Sequence, residues 1–329
     1  MSINVLVVGG AGYIGGWLTD ELMAAGHAVR VYDSLVYEER FLKPVEFALG
    51  DVRDARRLQP HLDWADVVVW LAALVGDGAC ALNPQLTEEI NLGTVRHLVR
   101  SFDRRVVFMS TCSVYGAQDG ILDEQAPVSP LSLYAKTKLE AERIISEAGG
   151  VSFRLGTIFG LGDTYSRIRL DLVVNLLTMK ACMFQRISVY GGDQYRPMLH
   201  VRDVSQAVVK NLGSPHEGVF NLCYENARIV DVASAVARHV PGVRVEVTEL
   251  KFQDARNYQV TDQKARDAFG FSPTRSMDEG ILEIKALVED GRIRDVCAAR
   301  YSNADFLRPL LMDNSSPLGR EIPTFLRND

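Results

Sequence analysis

The stretch NVLVVGGAGYIGGWLTDELMAAG, residues 4–26, decides the fold. Its opening NVLVV is a short apolar run of the kind that forms a strand buried on both faces. After Tyr13 the apolar residues recur at helical spacing as far as Gly26, a helix stop. Between strand and helix, Gly9, Gly12 and Gly15 stand three residues apart. Glycines there permit a tight turn and let backbone N–H groups approach a pyrophosphate at the helix N-terminus, where Tyr13 and Ile14 are the first helical residues. Asp33 ends the next apolar run, AVRVYD, where a carboxylate accepts adenosine ribose hydroxyls and repels a 2′-phosphate. The stretch therefore predicts a strand-turn-helix unit that binds NAD in preference to NADP.

Working outward, the same alternation repeats. VEFALGD is a strand, ARRLQPHL a helix-like stretch that Pro60 can shorten, and DVVVWLAA a strand. A long helix is expected from Asn83 and Pro84 to about Ser101, then the strand RVVFMS and a helix from about Pro130 to Ala148. Strands that are apolar on both faces and alternate with helices imply a parallel sheet covered on both sides. The fold class is α/β, a Rossmann doubly wound sheet over residues 1–155, with residues 201–223 returning to it through a helix and the strand GVFNL. Residues 156–200 and 224–329 form a smaller interleaved C-terminal lobe and tail. That lobe is expected to close over the carboxyl ends of the sheet, where open α/β sheets bind ligands.

Composition excludes several classes. The chain has 329 residues, 47% hydrophobic and 24% charged, with a net charge of −6 and no basic stripe, so nucleic acid is not an expected partner. No run of 18 apolar residues and no leader pattern at MSINVLVVGG is present, which makes a cytoplasmic protein with no membrane association the expectation. Five cysteines, without any CxxC pair, argue against a disulfide framework and against a zinc site; no metal is expected.

Chemistry is carried by YAKTK, which sets Tyr134 and Lys138 on one helical face. A tyrosine is a poor base at its ordinary pKa of about 10. A lysine ammonium about 4 Å away, in an effective dielectric near 20, is worth up to about 4 kcal/mol, enough to bring that value down by about two or three pH units. On this reading Tyr134 takes a proton from a substrate alcohol near neutral pH.

The motifs GGAGYIG, GDVRD, LAAL (71–74), STCSVYG (110–116), YAKTK and RPMLHVRDV occur in an order that resembles the extended short-chain dehydrogenase/reductases acting on nucleotide sugars, over roughly residues 3–285. The resemblance implies a catalytic set of Thr111, Tyr134 and Lys138. It adds Asp51, Val52, Leu71, Ala72 and Ala73 to the NAD site, although an aspartate at a strand end, as Asp51 is, also serves as a plain turn residue. For a nucleotide-diphosphate sugar it implies Val75, Gly76, Thr111, Cys112, Ser113, Arg169, Asn175, Arg196 and Arg256. Arginine forks match phosphate oxygens, yet Arg169 near a helix start is equally well read as solvated. His200 and Cys80 read better as structural groups than as reactive ones. The resemblance also implies a homodimer paired through a four-helix bundle of the helices expected at 84–101 and 130–148.

Within this resemblance the stretch STCSVYG discriminates. Sugar 4,6-dehydratases of this kind carry an Asp-Glu pair after the threonine, where elimination needs an acid and a base. Here Cys112 and Ser113 stand instead. Related 3,5-epimerases place a cysteine one residue later than Cys112, and a shift by one turns a strand side chain to the other face. What remains is redox chemistry at one alcohol, as in UDP-galactose 4-epimerase-like enzymes, with an NDP-hexose or NDP-heptose as substrate. A net 4-dehydrogenase or 4-ketoreductase shares every motif, and an NAD-sensing regulator is disfavoured by the intact Tyr-Lys pair. The tail from about Arg292 has three open roles: covering the substrate, binding a partner, or disorder.

Overall fold

The computed structural model describes residues 2–163, 167–248, 256–293 and 295–312. Its strands in chain order are β1 (Asn4–Val8), β2 (Ala28–Asp33), β3 (Glu46–Leu49), β4 (Val67–Trp70), β5 (Arg105–Thr111), β6 (Ala117–Leu122) and β7 (Val151–Leu155). There follow β8 (Thr157–Phe159), β9 (Arg186–Tyr190), β10 (Tyr195–His200), β11 (Gly218–Leu222), β12 (Glu225–Arg228), β13 (Arg244–Thr248) and β14 (Asn257–Val260).

Seven of these form one sheet in the order β11-β7-β5-β4-β1-β2-β3, parallel throughout. The chain leaves β1 toward β3 on one side and toward β7 on the other, so the switch in direction opens a crevice at the carboxyl ends of β1 and β4. Alternation in the strands supplies two cores. Val5, Val7, Val67, Val69, Val107 and Met109 face the helix Tyr13–Ala24 and its neighbours, while Leu6, Val8, Val68, Trp70, Val106 and Phe108 face the opposite helices. Both sets are almost fully buried, which is why these strands read as continuous apolar runs. Fully burying one such side chain is worth about 1.5–3 kcal/mol.

The helix expected from 83 to 101 is interrupted. Pro84–Glu88 and Thr94–Ser101 are α-helical, and Glu89–Gly93 between them is a π-helical turn. The π turn presents Asn91 to the chain after β4, where its amide accepts from the Leu74 N–H at 2.8 Å and donates to the Leu74 carbonyl at 3.0 Å. A single π turn shifts the apolar register by one residue, too small a change to mark a break within so short a helix, so apolar spacing predicts an unbroken helix here.

The second lobe is built from smaller sheets: β12-β10-β8, and the pairs β13-β9 and β14-β6. Its core holds Phe159, Val174, Ile187, Met198, Val236 and Ile281. Gly156 is the joint between the lobes: a Cβ there would meet the Pro197 carbonyl oxygen at 2.9 Å. The division by residue number expected above needs two corrections, the first being that β6, numbered with the sheet domain, pairs with β14 of the lobe. Second, residues 263–271, assigned to the lobe, pack through Ala265 and Phe271 into the core of the large sheet. Of the tail, Asn303–Met312 is a helix that packs against the helix Asp77–Leu82; residues 313–329 lie outside the described residues.

Candidate active site

A cavity of about 780 Å³ opens at the carboxyl ends of the large sheet, between the two lobes. One wall is mostly backbone. Gly9 has φ +83°, and a Cβ on it would meet the Ala72 nitrogen at 2.5 Å, so only glycine lets the first turn lie against the chain leaving β4. Gly12 is the N-cap of the helix Tyr13–Ala24, with no side-chain cap and no acidic residue in the first turn. Its N–H groups and the positive end of its dipole are left for an anion. Gly9, Gly12, Tyr13 and Ile14 line the cavity. Gly15 does not: a Cβ on it would meet the Gly10 carbonyl oxygen at 2.1 Å, so its glycine serves the packing of turn on helix.

Asp33 lines the same wall and accepts from the Ala11 N–H at 3.0 Å and the Leu35 N–H at 2.8 Å. Burial pushes its carboxyl above the usual range, opposed by those backbone donors. Asp51, Val52, Leu71, Ala72 and Ala73 complete this side, with Asp51 paired to Arg53 at 2.7 Å. An uncapped helix N-terminus, a glycine cradle and a carboxylate at the end of β2 fit a dinucleotide's pyrophosphate and ribose.

At the centre, Thr111 ends β5, and Tyr134 and Lys138 come from the helix Leu133–Glu147. Ser132 caps that helix, accepting from the Ala135 N–H at 3.2 Å, and thereby sets the register in which Tyr134 enters the cavity. The Thr111 hydroxyl favours ionisation of the Tyr134 phenol. The expected depression of Tyr134 by Lys138 is not found. Burial raises Tyr134, the Cys80 thiol and Asp77 raise it further, and Arg169 and Thr111 oppose this. Lys138 donates from Nζ to the Met109 carbonyl at 2.9 Å and lies 4.7 Å from the Phe108 ring centroid. Burial lowers it to about 8. A buried ammonium with one neutral partner loses more in hydration than it gains from that bond.

The opposite wall is made of side chains. Val75, Gly76, Ser113, Arg169, Arg196 and Arg256 line it; Cys112 and Asn175 do not. Cys112 is fully buried, donates to the Arg154 carbonyl at 3.2 Å, and is pushed well up by burial. Asn175 is fully buried too, tied to the N–H and carbonyl of Gly160 and to the Arg169 carbonyl. Neither is a substrate contact in this arrangement, because each points into packed protein. Arg169 is neither solvated nor unpaired; it chelates Asp171 at 2.9 and 3.1 Å. Arg256 lies 3.2 Å from Asp77 and donates to the Ser113 hydroxyl at 3.4 Å. Arg196 donates to the Tyr195 and Arg256 carbonyls.

His200 is fully buried, faces Glu283 at 2.9 Å and caps its own helix by accepting from the Arg202 N–H. The Cys80 thiol, buried beside Leu74, is pushed up to about 12. Sequence reasoning misses Arg167, Asp171 and Asn303, all of which line the cavity. Each is an ordinary polar residue in an irregular stretch, and no local pattern marks it. Among the described residues no three His, Cys, Asp or Glu side chains converge as a metal site, and no helix is long and apolar enough to cross a membrane.

A doubly wound sheet with a glycine-cradled helix N-terminus and a Thr-Tyr-Lys cluster at its carboxyl edge defines a dinucleotide-dependent enzyme. The chain belongs to the NAD dependent epimerase/dehydratase family, whose model matches residues 5–223, and NAD is its cofactor. It is 28% identical over 300 residues to a putative UDP-glucose 4-epimerase of Methanocaldococcus jannaschii, covering 85% of this chain and 96% of that one. It is 25% identical over 297 residues to UDP-glucuronic acid decarboxylase 1 of Xenopus tropicalis, covering 84% and 70%. Among solved structures, the UDP-glucose 4-epimerase of Thermus thermophilus in complex with NAD is 26% identical, with a TM-score of 0.74 over 86% of this chain and 98% of that one.

Proposed function

We propose that this enzyme is a nucleotide-sugar 4-epimerase, acting on an NDP-hexose or NDP-heptose by transient oxidation at C4. The observation that carries the reading is the state of the cavity's carboxylates. Among the described residues they are Asp33, Glu38, Asp51, Asp77 and Asp171. Asp33 is held by backbone N–H groups, Glu38 by Arg300, Asp51 by Arg53, Asp77 by Arg256 and Ser132, and Asp171 by Arg169. Each of these carboxylates already has a partner, so none stands free as the acid or base that eliminating water requires. Thr111 and Tyr134, with Lys138 beside them, are the groups of the expected catalytic set that line the cavity and can handle a proton.

In this reading Thr111 donates to the sugar C4 oxygen and orients it toward Tyr134. Tyr134 acts in its ionised form, which burial disfavours and the Thr111 hydroxyl favours, accepting the C4 hydroxyl proton and later returning it. When bound, NAD supplies the hydride acceptor and donor. Lys138 supplies positive charge beneath the site, and its low pKa lets it share in proton movement near neutral pH. Arg196 and Arg256 hold the diphosphate, and rotation of the sugar about it exposes the other face. The reading extends to a cytoplasmic homodimer paired through the helices at 84–101 and 133–147, for which light scattering in solution is the test.

The deciding experiment incubates the purified enzyme with a panel of NDP-sugars, identifies products by NMR, and follows reduced nicotinamide by absorbance. Epimer formation with no accumulation of NADH supports the reading. Stoichiometric NADH would make the enzyme a net 4-dehydrogenase, a product lighter by water a dehydratase, and a product lighter by carbon dioxide a decarboxylase.

A further inference from the structure

The tail contributes to the cavity. Asn303, 4% exposed, donates from Nδ2 to the Val75 carbonyl at 2.8 Å, accepts at Oδ1 from the Arg167 guanidinium, and donates its backbone N–H to Asp171 at 2.9 Å. Its three partners come from two parts of the chain: Val75 from the loop after β4, and Arg167 and Asp171 from the second lobe. Arg167 stacks 3.5 Å from the ring centroid of Tyr37, on the loop that follows Asp33, and donates to the Arg300 carbonyl at 3.3 Å. The ring of Phe306 lies 5.3 Å from Tyr37, and Arg300 reaches Glu38 at 3.5 Å. Leu307 and Leu311 are buried against Leu74, Ala79 and Cys80.

We propose that residues 299–311 form a strap across the mouth of the cavity, with Asn303 as the positioning residue that holds the loops after β2 and β4 to the second lobe. The strap retains NAD through turnover, and the cofactor leaves when it lifts. The physical basis is that the loops after β2 and β4, which border the dinucleotide wall, are joined to the second lobe by this segment. A buried amide satisfied on both its oxygen and its nitrogen side is costly to separate, since opening strands each partner. Retention suits a reaction in which the hydride must return before the cofactor escapes. The strap's role rests on NAD as cofactor and is independent of which sugar is turned over.

The test is the dissociation rate of NADH. Enzyme loaded with NADH is mixed with excess NAD⁺, and the loss of bound-NADH fluorescence is followed for wild type, Asn303→Leu, Asn303→Asp and Phe306→Ala, with melting temperatures measured alongside. Asn303→Leu is expected to release NADH at least about tenfold faster, because both side-chain hydrogen bonds are lost. Asn303→Asp keeps the acceptor for Arg167 and loses the donor to Val75, so its rate falls between the two. Phe306→Ala loosens the same strap from Tyr37 without disturbing Asn303, and its faster release guards against a folding defect in the Asn303 variants. Arg308→Ala, exposed on the same helix, is expected to release at the wild-type rate. Equal rates in wild type, Asn303→Leu and Phe306→Ala would overturn the strap, whatever the melting temperatures. NADH accumulating during turnover by the wild type would overturn the epimerase reading instead, so the two failures are distinguishable.

Discussion

The two walls of the cavity are made in different ways. The dinucleotide wall is backbone: glycines, helix N–H groups and strand ends, set by neighbours a few residues apart or by sheet register. On the opposite wall side chains bridge long separations, Asn303 to the Val75 carbonyl across 228 residues and Arg256 to the Ser113 hydroxyl across 143. Backbone sites tolerate little, because a Cβ has nowhere to go. Side-chain sites are set by pairing, so substitution there changes affinity before it changes fold.

Four predictions sharpen that contrast, taken from the largest effect to the smallest. Tyr134→Phe is expected to lower kcat by roughly 10²–10⁴ while NAD content and melting temperature stay near wild type, as read by steady-state assay and thermal unfolding. An undiminished kcat would remove Tyr134 from the chemistry.

Glu142→Ala attacks the floor of the site. Glu142 and Arg154, 2% and 5% exposed, are paired at 2.6 Å, and Glu142 also accepts from the Ser110 hydroxyl at 2.7 Å, beside Thr111. Removing the carboxylate leaves a buried guanidinium without its counter-charge, which is expected to cost about 3–5 kcal/mol in urea unfolding.

Lys138 gives a pH dependence with a defined sign. Its folded pKa of about 8 lies below the 10.5 of a free lysine. Between those values the unfolded chain holds the proton and the folded protein does not, so stability rises with pH across the window. Relative to Lys138→Met, wild type is expected to gain up to roughly 3 kcal/mol from pH 8 to 10.5, measured by urea titrations on the cofactor-free protein. A flat difference would place the lysine in a more polar setting.

On the side-chain wall, Arg256→Ala is expected to raise KM for the nucleotide sugar about tenfold, with kcat less affected and bound NAD unchanged, since a charge-assisted contact is lost from the substrate side alone. Loss of NAD in this variant would show that the two walls are not separable.

Legibility in the sequence follows the same division. The strands β1, β2, β4, β5 and β7 and the first glycine turn are readable because period, burial and turn chemistry are local properties. Thr111, Tyr134 and Lys138 come together as expected, yet spacing alone gives the ionisation of Tyr134 the wrong sign. Spacing places a lysine on the same helical face, and it does not reveal that the ammonium is drawn to the Met109 carbonyl, or that the partly buried phenol feels the Cys80 thiol. Cys112 and Asn175 stand at positions that suit a ligand, and packing turns them inward.

By itself the amino-acid sequence determined the parallel sheet, the dinucleotide turn and the Tyr-Lys face, since each depends on residues within a helical turn or a strand of one another. Only the tertiary structure decided which arginines are held by which carboxylates, how far burial moves Tyr134 and Lys138, and that Asn303 reaches back to the cavity. Those properties depend on desolvation and on contacts between segments far apart in the chain, and no local pattern encodes them.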